Sequence, residues 1–108
     1  MEQSKINIHA LRDAVVSSRI VWRKHALERM LEQDITIEKG INCIIDGEVI
    51  RVYLEDRPYP SALFLRIDDF LPLHVIASYN DKAQITYIIT AYNPSTEYYY
   101  DDFKTRKK

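Results

Sequence analysis

Apolar positions recur at helical spacing in the first half of this chain and alternate in its second half. Over residues 5–18, Ile8, Leu11 and Val15 share one helical face, and Ser4 is placed to cap it. Residues 23–33 predict a second helix with the stripe Ala26, Leu27, Met30 and Leu31, broken off at Asp34 and Thr36. Thr36 caps a third helix over 37–46, with Glu38 in its first turn and Ile37, Ile41, Ile44 and Ile45 turned inward. Gly40 inside that helix costs about 1 kcal/mol against alanine, and Gly47 ends it.

Four strands follow, over about 48–55, 62–67, 73–79 and 84–92, separated by turns rich in Pro, Asp and Asn. Such short connections imply antiparallel neighbours. One face collects Ile50, Val52 and Leu54, then Leu63, Leu65 and Ile67, then Leu73, Val75 and Ala77, then Ile85, Tyr87, Ile89 and Ala91. The other collects Arg51, Tyr53, Glu55, Phe64, Arg66, His74, Ile76, Ser78, Thr86, Ile88, Thr90 and Tyr92. The expected architecture is α+β, with N-terminal helices packed on one face of a four-stranded antiparallel sheet. Leu65, Val75 and Ile89 should then be inaccessible, and Arg51 and Arg66 accessible.

Composition narrows the class. The 108 residues make about one domain, and 46% hydrophobic content supplies one core. The single Cys43 excludes an intramolecular disulfide and fits a reducing compartment. Neither Cys-x-x-Cys nor His-x-x-x-His spacing points to zinc, so we expect no metal and no cofactor. The N-terminus leads into no long apolar run, and nothing approaches the roughly 20 apolar residues of a membrane span. A cytoplasmic protein is expected. Charge is uneven: residues 1–30 carry six Lys/Arg against three acids, residues 31–103 five against thirteen, and residues 104–108 four Lys/Arg. The nearly neutral total argues against a general nucleic-acid coat, while the basic ends permit local contact with phosphates.

Two histidines stand out. His25 lies one helical turn before Arg29, so both project from one side of their helix. His74 lies in a strand. Imidazoles and a guanidinium suit phosphodiester chemistry without a metal. Each also has a structural explanation: an exposed polar helix face for His25 and Arg29, a packed histidine for His74, and a sheet edge for Thr90 and Tyr92. Cys43 reads as a packing residue, Tyr98-Tyr99-Tyr100 as packing of the C-terminal segment, and the 104–108 tail as a frayed, solubilising terminus.

Several motifs occur in order: His25-Ala26-Leu27-Glu28-Arg29-Met30, Ile35-Thr36, Gly47-Glu48-Val49-Ile50, Asp56-Arg57-Pro58-Tyr59-Pro60-Ser61, Pro72-Leu73-His74-Val75 and Thr90-Ala91-Tyr92-Asn93-Pro94. Over about residues 20–95 the chain resembles domain-of-unknown-function family 4258, grouped with RelE-like small ribonuclease toxins. Gln33-Asp34 departs from a more usual Arg-Gly-like pair, and Gly40 from a better helix former. The resemblance implies helices on an antiparallel sheet and metal-independent RNA cleavage. It implies catalytic roles for His25, Arg29, His74 and Tyr92, and substrate binding by Arg57, Tyr59, Ser61 and Thr90. It also implies RNA, with or without the ribosome, and a cognate antitoxin protein as partners. The reaction would be attack of a ribose 2′-OH on its own phosphate, with His25 and His74 as base and acid and Arg29 on the phosphate.

Three readings compete: a ribonuclease, a non-catalytic interaction module, and a phosphate-ligand binder without turnover. The first and third need His25, Arg29 and His74 to line one cleft. The second needs the histidines apart, or one of them buried and satisfied.

Overall fold

The computed structural model describes residues 5–69 and 71–107. Ser4 lies outside them, and the cap of α1 (Ile8–Val16) is Asn7, whose side chain accepts from the Ala10 amide at 2.9 Å. Past the end of α1, Ser18 turns left-handed with φ 65°. The Ser18 and Arg19 amides then return to the carbonyls of Val15 and Ala14. The next helix, α2 (Lys24–Glu32), ends the same way at Asp34, φ 61°, with Ile35 bonded back to Met30 at 2.8 Å. Met30 and Ile35 both lie in the core, the apolar contact that accompanies this kind of helix stop.

The buried side of α2 is Ala26 and Met30, whereas Leu27 and Leu31 face solvent. The expected stripe is thus rotated: small Ala26 lets the helix lie close on the sheet, and the larger leucines are left outside. In α3 (Ile37–Asp46), Thr36 caps through its hydroxyl, as expected, but the buried residues are Gly40, Cys43 and Ile44, and Ile37 is exposed. Gly40 has a packing reason. A Cβ there would stand 3.2 Å from the Trp22 ring, so the missing side chain makes room for the indole. Arg12 of α1 closes the end of α3, donating to the carbonyls of Ile44 and Gly47, each at 2.7 Å.

The sheet has five strands, not four, and it is mixed. β1 (Ile20–Trp22), β2 (Glu48–Tyr53), β3 (Ser61–Asp68), β4 (Leu71–Asn80) and β5 (Ile85–Tyr92) stand in the order β1-β5-β4-β3-β2. β1 runs parallel to β5, pairing Ile20 with Thr86 and Trp22 with Ile88; the other pairs are antiparallel. β1 is too short for alternation to reveal, and a parallel pair needs no short connection to announce it.

Residues paired across antiparallel strands share a face. The helices cover Ala62 and Phe64 of β3, Leu73, Val75, Ala77 and Tyr79 of β4, and Ile88 and Ala91 of β5. On the far side, Leu65 pairs with His74, His74 with Tyr92, and Ser78 with Tyr87. The assignment for β4 stands, but that for β3 is inverted. So is that for the first half of β5, where Thr86 and Ile88, not Tyr87 and Ile89, point to the helices. Thr86 donates its hydroxyl proton to the Leu11 carbonyl at 2.9 Å. Ile89 is a bulge opposite Ile76 and Ala77 and is only half-buried. Arg66 stands on the helix side, bonded to Asp46 of α3 at 2.8 Å.

Two substitutions test this account. Gly47 has ordinary φ, so it is not a left-handed cap; a Cβ there would strike the Cys43 carbonyl and lie 2.8 Å from that of Leu65. Gly47→Ala should therefore destabilise by about 1–3 kcal/mol in urea unfolding. Ser18→Gly should stabilise by about 1 kcal/mol, because serine bears the left-handed penalty that glycine does not.

Candidate active site

The far face of the sheet is not open at its centre. Residues 98–107 fold back over it as a hairpin-like segment. Tyr99 bridges to Arg106, the Tyr100 amide bonds the Thr105 carbonyl at 2.9 Å, and the Lys107 amide bonds that of Tyr98 at 2.8 Å. Its turn is built on Asp102, whose carboxylate accepts from the amides of Thr105 and Lys104 and from the Thr105 hydroxyl. Those bonds hold its pKa down at about 2. The segment is tied to β2, where Lys104 pairs with Glu48 at 3.0 Å and Arg51 donates to the Lys104 carbonyl at 3.1 Å.

His74 lies beneath it, fully buried. Its Nε2 is 2.7 Å from the Phe103 carbonyl, and its Nδ1 is 3.2 Å from the Tyr92 hydroxyl. A carbonyl can only accept, so Nε2 carries the proton and Nδ1 accepts from Tyr92. Tyr99 meets the imidazole edge-on, with centroids 4.9 Å apart. Burial lowers the His74 pKa despite the Phe103 bond, so the ring is neutral at neutral pH. Burial likewise pushes the Tyr92 phenol up, and neighbouring Tyr99 adds to this, so Tyr92 remains a proton donor in its hydrogen bond.

Of the four candidate catalytic residues, the structure joins three in a row. The Arg29 guanidinium lies over the Tyr92 ring at 5.6 Å, and Tyr92 holds His74. Among the described residues no carboxylate pairs with Arg29. His25, one turn along α2, is exposed. His74 has no approach for a ligand and both its nitrogens are occupied, so the expected single cleft of His25, Arg29 and His74 does not form; His74 positions Tyr92 instead. The candidate binding residues fall elsewhere on the same face. Tyr59 stacks parallel to Tyr87 with centroids 5.9 Å apart and accepts from Asn80. Ser61, buried opposite Ser78, donates to Asp56. Arg57 is exposed and donates to the carbonyls of Leu54 and Asp56. Thr90 has a buried hydroxyl without a hydrogen-bond partner among the described residues.

A cleft of about 430 Å³ lies beyond the ends of α2 and β5, lined by residues including Gln33, Asp34, Lys39, Arg66, Leu71 and Asn93. None of the four candidate catalytic residues lines it. Its wall is knitted by Asn93, whose amide donates to the Gln33 side chain at 2.7 Å and whose side chain donates to the Pro72 carbonyl at 2.9 Å. Cys43 is buried behind it, its thiol against the Phe64 and Leu73 carbonyls, and burial raises its pKa to about 12. It is a packing residue and not a nucleophile. Among the described residues no three His, Cys, Asp or Glu side chains converge as for a metal, and no helix is long and apolar enough to cross a membrane.

Sequence reasoning missed Tyr87 and Arg23, while Tyr99 packs the C-terminal segment as expected. Arg23 lies over Tyr87 at 4.8 Å, and only the strand register puts Tyr87 on the outer face.

A family model described as a domain of unknown function, DUF4258, matches residues 22–93. The chain belongs to the DUF4258 family. The matched region holds His25, Arg29, His74 and Tyr92; α1 and the hairpin over His74 lie outside it. No curated protein and no solved structure matches the chain.

The burial of His74 has a measurable consequence. A ring kept neutral in the fold takes up a proton more readily when unfolded. Its stabilising effect is full above the ordinary value near 6.5 and is lost as pH falls below it toward the depressed folded value. Urea unfolding should show stability falling there with a slope approaching about 1.4 kcal/mol per pH unit. His74→Gln should lower stability at neutral pH and flatten that slope. An unchanged slope would assign the dependence to another group.

Proposed function

We propose that this DUF4258 chain is a metal-independent endoribonuclease, toxin-like in its chemistry and RelE-like in grouping, acting where α2 meets the end of β5. One observation carries the reading: Arg29, with no carboxylate partner among the described residues, lies over a tyrosine whose hydroxyl is held by a buried neutral histidine. In this reading His25 takes the 2′-OH proton, the 2′-oxygen bonds to phosphorus, and the 5′-oxygen leaves with the proton returned by the His25 imidazolium. Arg29 holds the phosphate by two parallel bonds as charge builds on its oxygens, and Tyr92, its hydroxyl proton given to His74, supports the Arg29 guanidinium with its ring face. His74 fixes Tyr92 without touching substrate. RNA, free or on the ribosome, is the substrate, and a cognate antitoxin that covers this face is the partner.

A second reading draws on the same histidine. With both nitrogens in internal bonds, His74 also suits a non-catalytic interaction module. Activity separates the two. Induced expression in a bacterium should arrest growth and fragment RNA. Purified protein should cleave RNA in EDTA, leaving 2′,3′-cyclic phosphate or 3′-phosphate ends. His25→Ala should slow cleavage by about two to four orders of magnitude. Arg29→Lys should also be damaging, since an ammonium lacks the planar fork. Intact RNA with folded protein, with and without ribosomes, would overturn the nuclease and leave the module.

A further inference from the structure

We propose that the outer edge of the sheet carries a second nucleotide subsite, formed by Arg23, Tyr87 and Tyr59, and that with Arg29 and Tyr92 it makes a track for single-stranded RNA. The proposal deepens the nuclease reading by giving its substrate a strand state and a path, and it rests on that reading for the identity of the ligand.

The track has two rungs of one kind. In each, a guanidinium from the β1–α2 segment lies over a tyrosine ring of β5: Arg23 on Tyr87 at 4.8 Å and Arg29 on Tyr92 at 5.6 Å. Tyr59 extends the first rung, its ring parallel to that of Tyr87 within 1° and its hydroxyl accepting from Asn80 at 2.8 Å. Arg23 is exposed, and among the described residues no carboxylate pairs with it or with Arg29. Residues 31–103 hold thirteen acids against five Lys/Arg, yet these two guanidinia at the edge are left without an acid. Flat cations without an anion, backed by aromatic rings, offer what an unpaired nucleotide needs: charge for the phosphate and a plane for the base.

The spacing favours a single strand. Tyr87 pairs with Ser78 and Tyr92 with His74. Four residues of β4 separate the rungs, about 13 Å at roughly 3.3 Å per residue. Neighbouring bases in a duplex strand are about 3.4 Å apart. The two rungs therefore take bases that are splayed or not adjacent, as a single strand permits.

The test is a binding titration of the full chain. The probe is a fluorescein-labelled oligouridylate dodecamer with 2′-O-methyl groups, which blocks cleavage, and anisotropy is the readout. Arg23→Ala and Tyr87→Leu should each weaken binding at least fivefold, the lower end of what one stacked base contributes. Tyr87→Phe, which keeps the ring, should bind within twofold of the wild type. For Arg23→Ala the dependence of log affinity on log salt should become shallower by about 0.7. Arg23 is exposed, so its variant reports on binding even where Tyr87→Leu alters folding. Unchanged affinity in Arg23→Ala would overturn the track, as would equally effective displacement of the probe by polyglutamate, which would mark an acidic-polypeptide dock. Cleavage that persists with unchanged Arg23→Ala binding removes the track and keeps the nuclease. Arg23-dependent binding without cleavage by the wild type keeps the track and removes the nuclease.

Discussion

The outer face of this sheet depends on two breaks in strand alternation. A strand keeps each face by counting in twos, and a bulge inserts one residue and reverses the count. In β5 the extra residue is Ile89, so Thr86, Ile88 and Ala91 point to the helices while Tyr87 and Tyr92 both point away. In β2 the register shifts between Val49 and Arg51, which sets Glu48 and Arg51 on the outer face together. Both pairs are separated by odd numbers of residues, and neither could share a face on a regular strand. Glu48 and Arg51 hold the C-terminal hairpin, and Tyr87 and Tyr92 carry the two arginines.

The hairpin then determines what His74 can do. With Phe103 accepting at Nε2 and Tyr92 donating to Nδ1, the imidazole has no free lone pair and no free proton. Burial without those partners would cost several kcal/mol of desolvation; with them, the ring fastens the hairpin to the sheet and orients Tyr92. A histidine in that state is a poor acid or base for a diffusing substrate. In the proposed nuclease the chemistry then falls to groups at the α2 edge, where His25 and Arg29 sit one turn apart and Arg29 reaches Tyr92.

How much of this was legible in the sequence follows from the same geometry. Three helices and four of the five strands are where periodicity puts them, because caps such as Thr36 and turns such as Asn80-Asp81-Lys82 act locally. Face assignment failed where both faces are covered. Leu63, Phe64 and Leu65 are all buried, Phe64 under helices and the two leucines on the far face with His74, so a continuous apolar run could not say which side was which. β5 failed because its bulge carries no glycine or proline to mark it. β1 failed because Ile20-Val21-Trp22 is shorter than any alternation test. The motif residues Arg29, His74 and Tyr92 did come together, but nothing in the motifs announces a cover, since the hairpin that seals His74 lies beyond the matched region.

That cover also accounts for the division of labour across the face. Where the hairpin lies, the far side of the sheet behaves as a second small core, with Leu65, His74 and Tyr99 all buried. Where it does not, along the β1 and α2 side, Arg23 and Arg29 lie over tyrosines beside an exposed His25, with Asn80 holding Tyr59. An apolar, sealed interior beside an edge of cations resting on aromatic rings is a stable arrangement for a protein whose body is otherwise acidic. The guanidinia are partly satisfied by the ring faces in the absence of an anion, and so remain available to a phosphate without a carboxylate to displace.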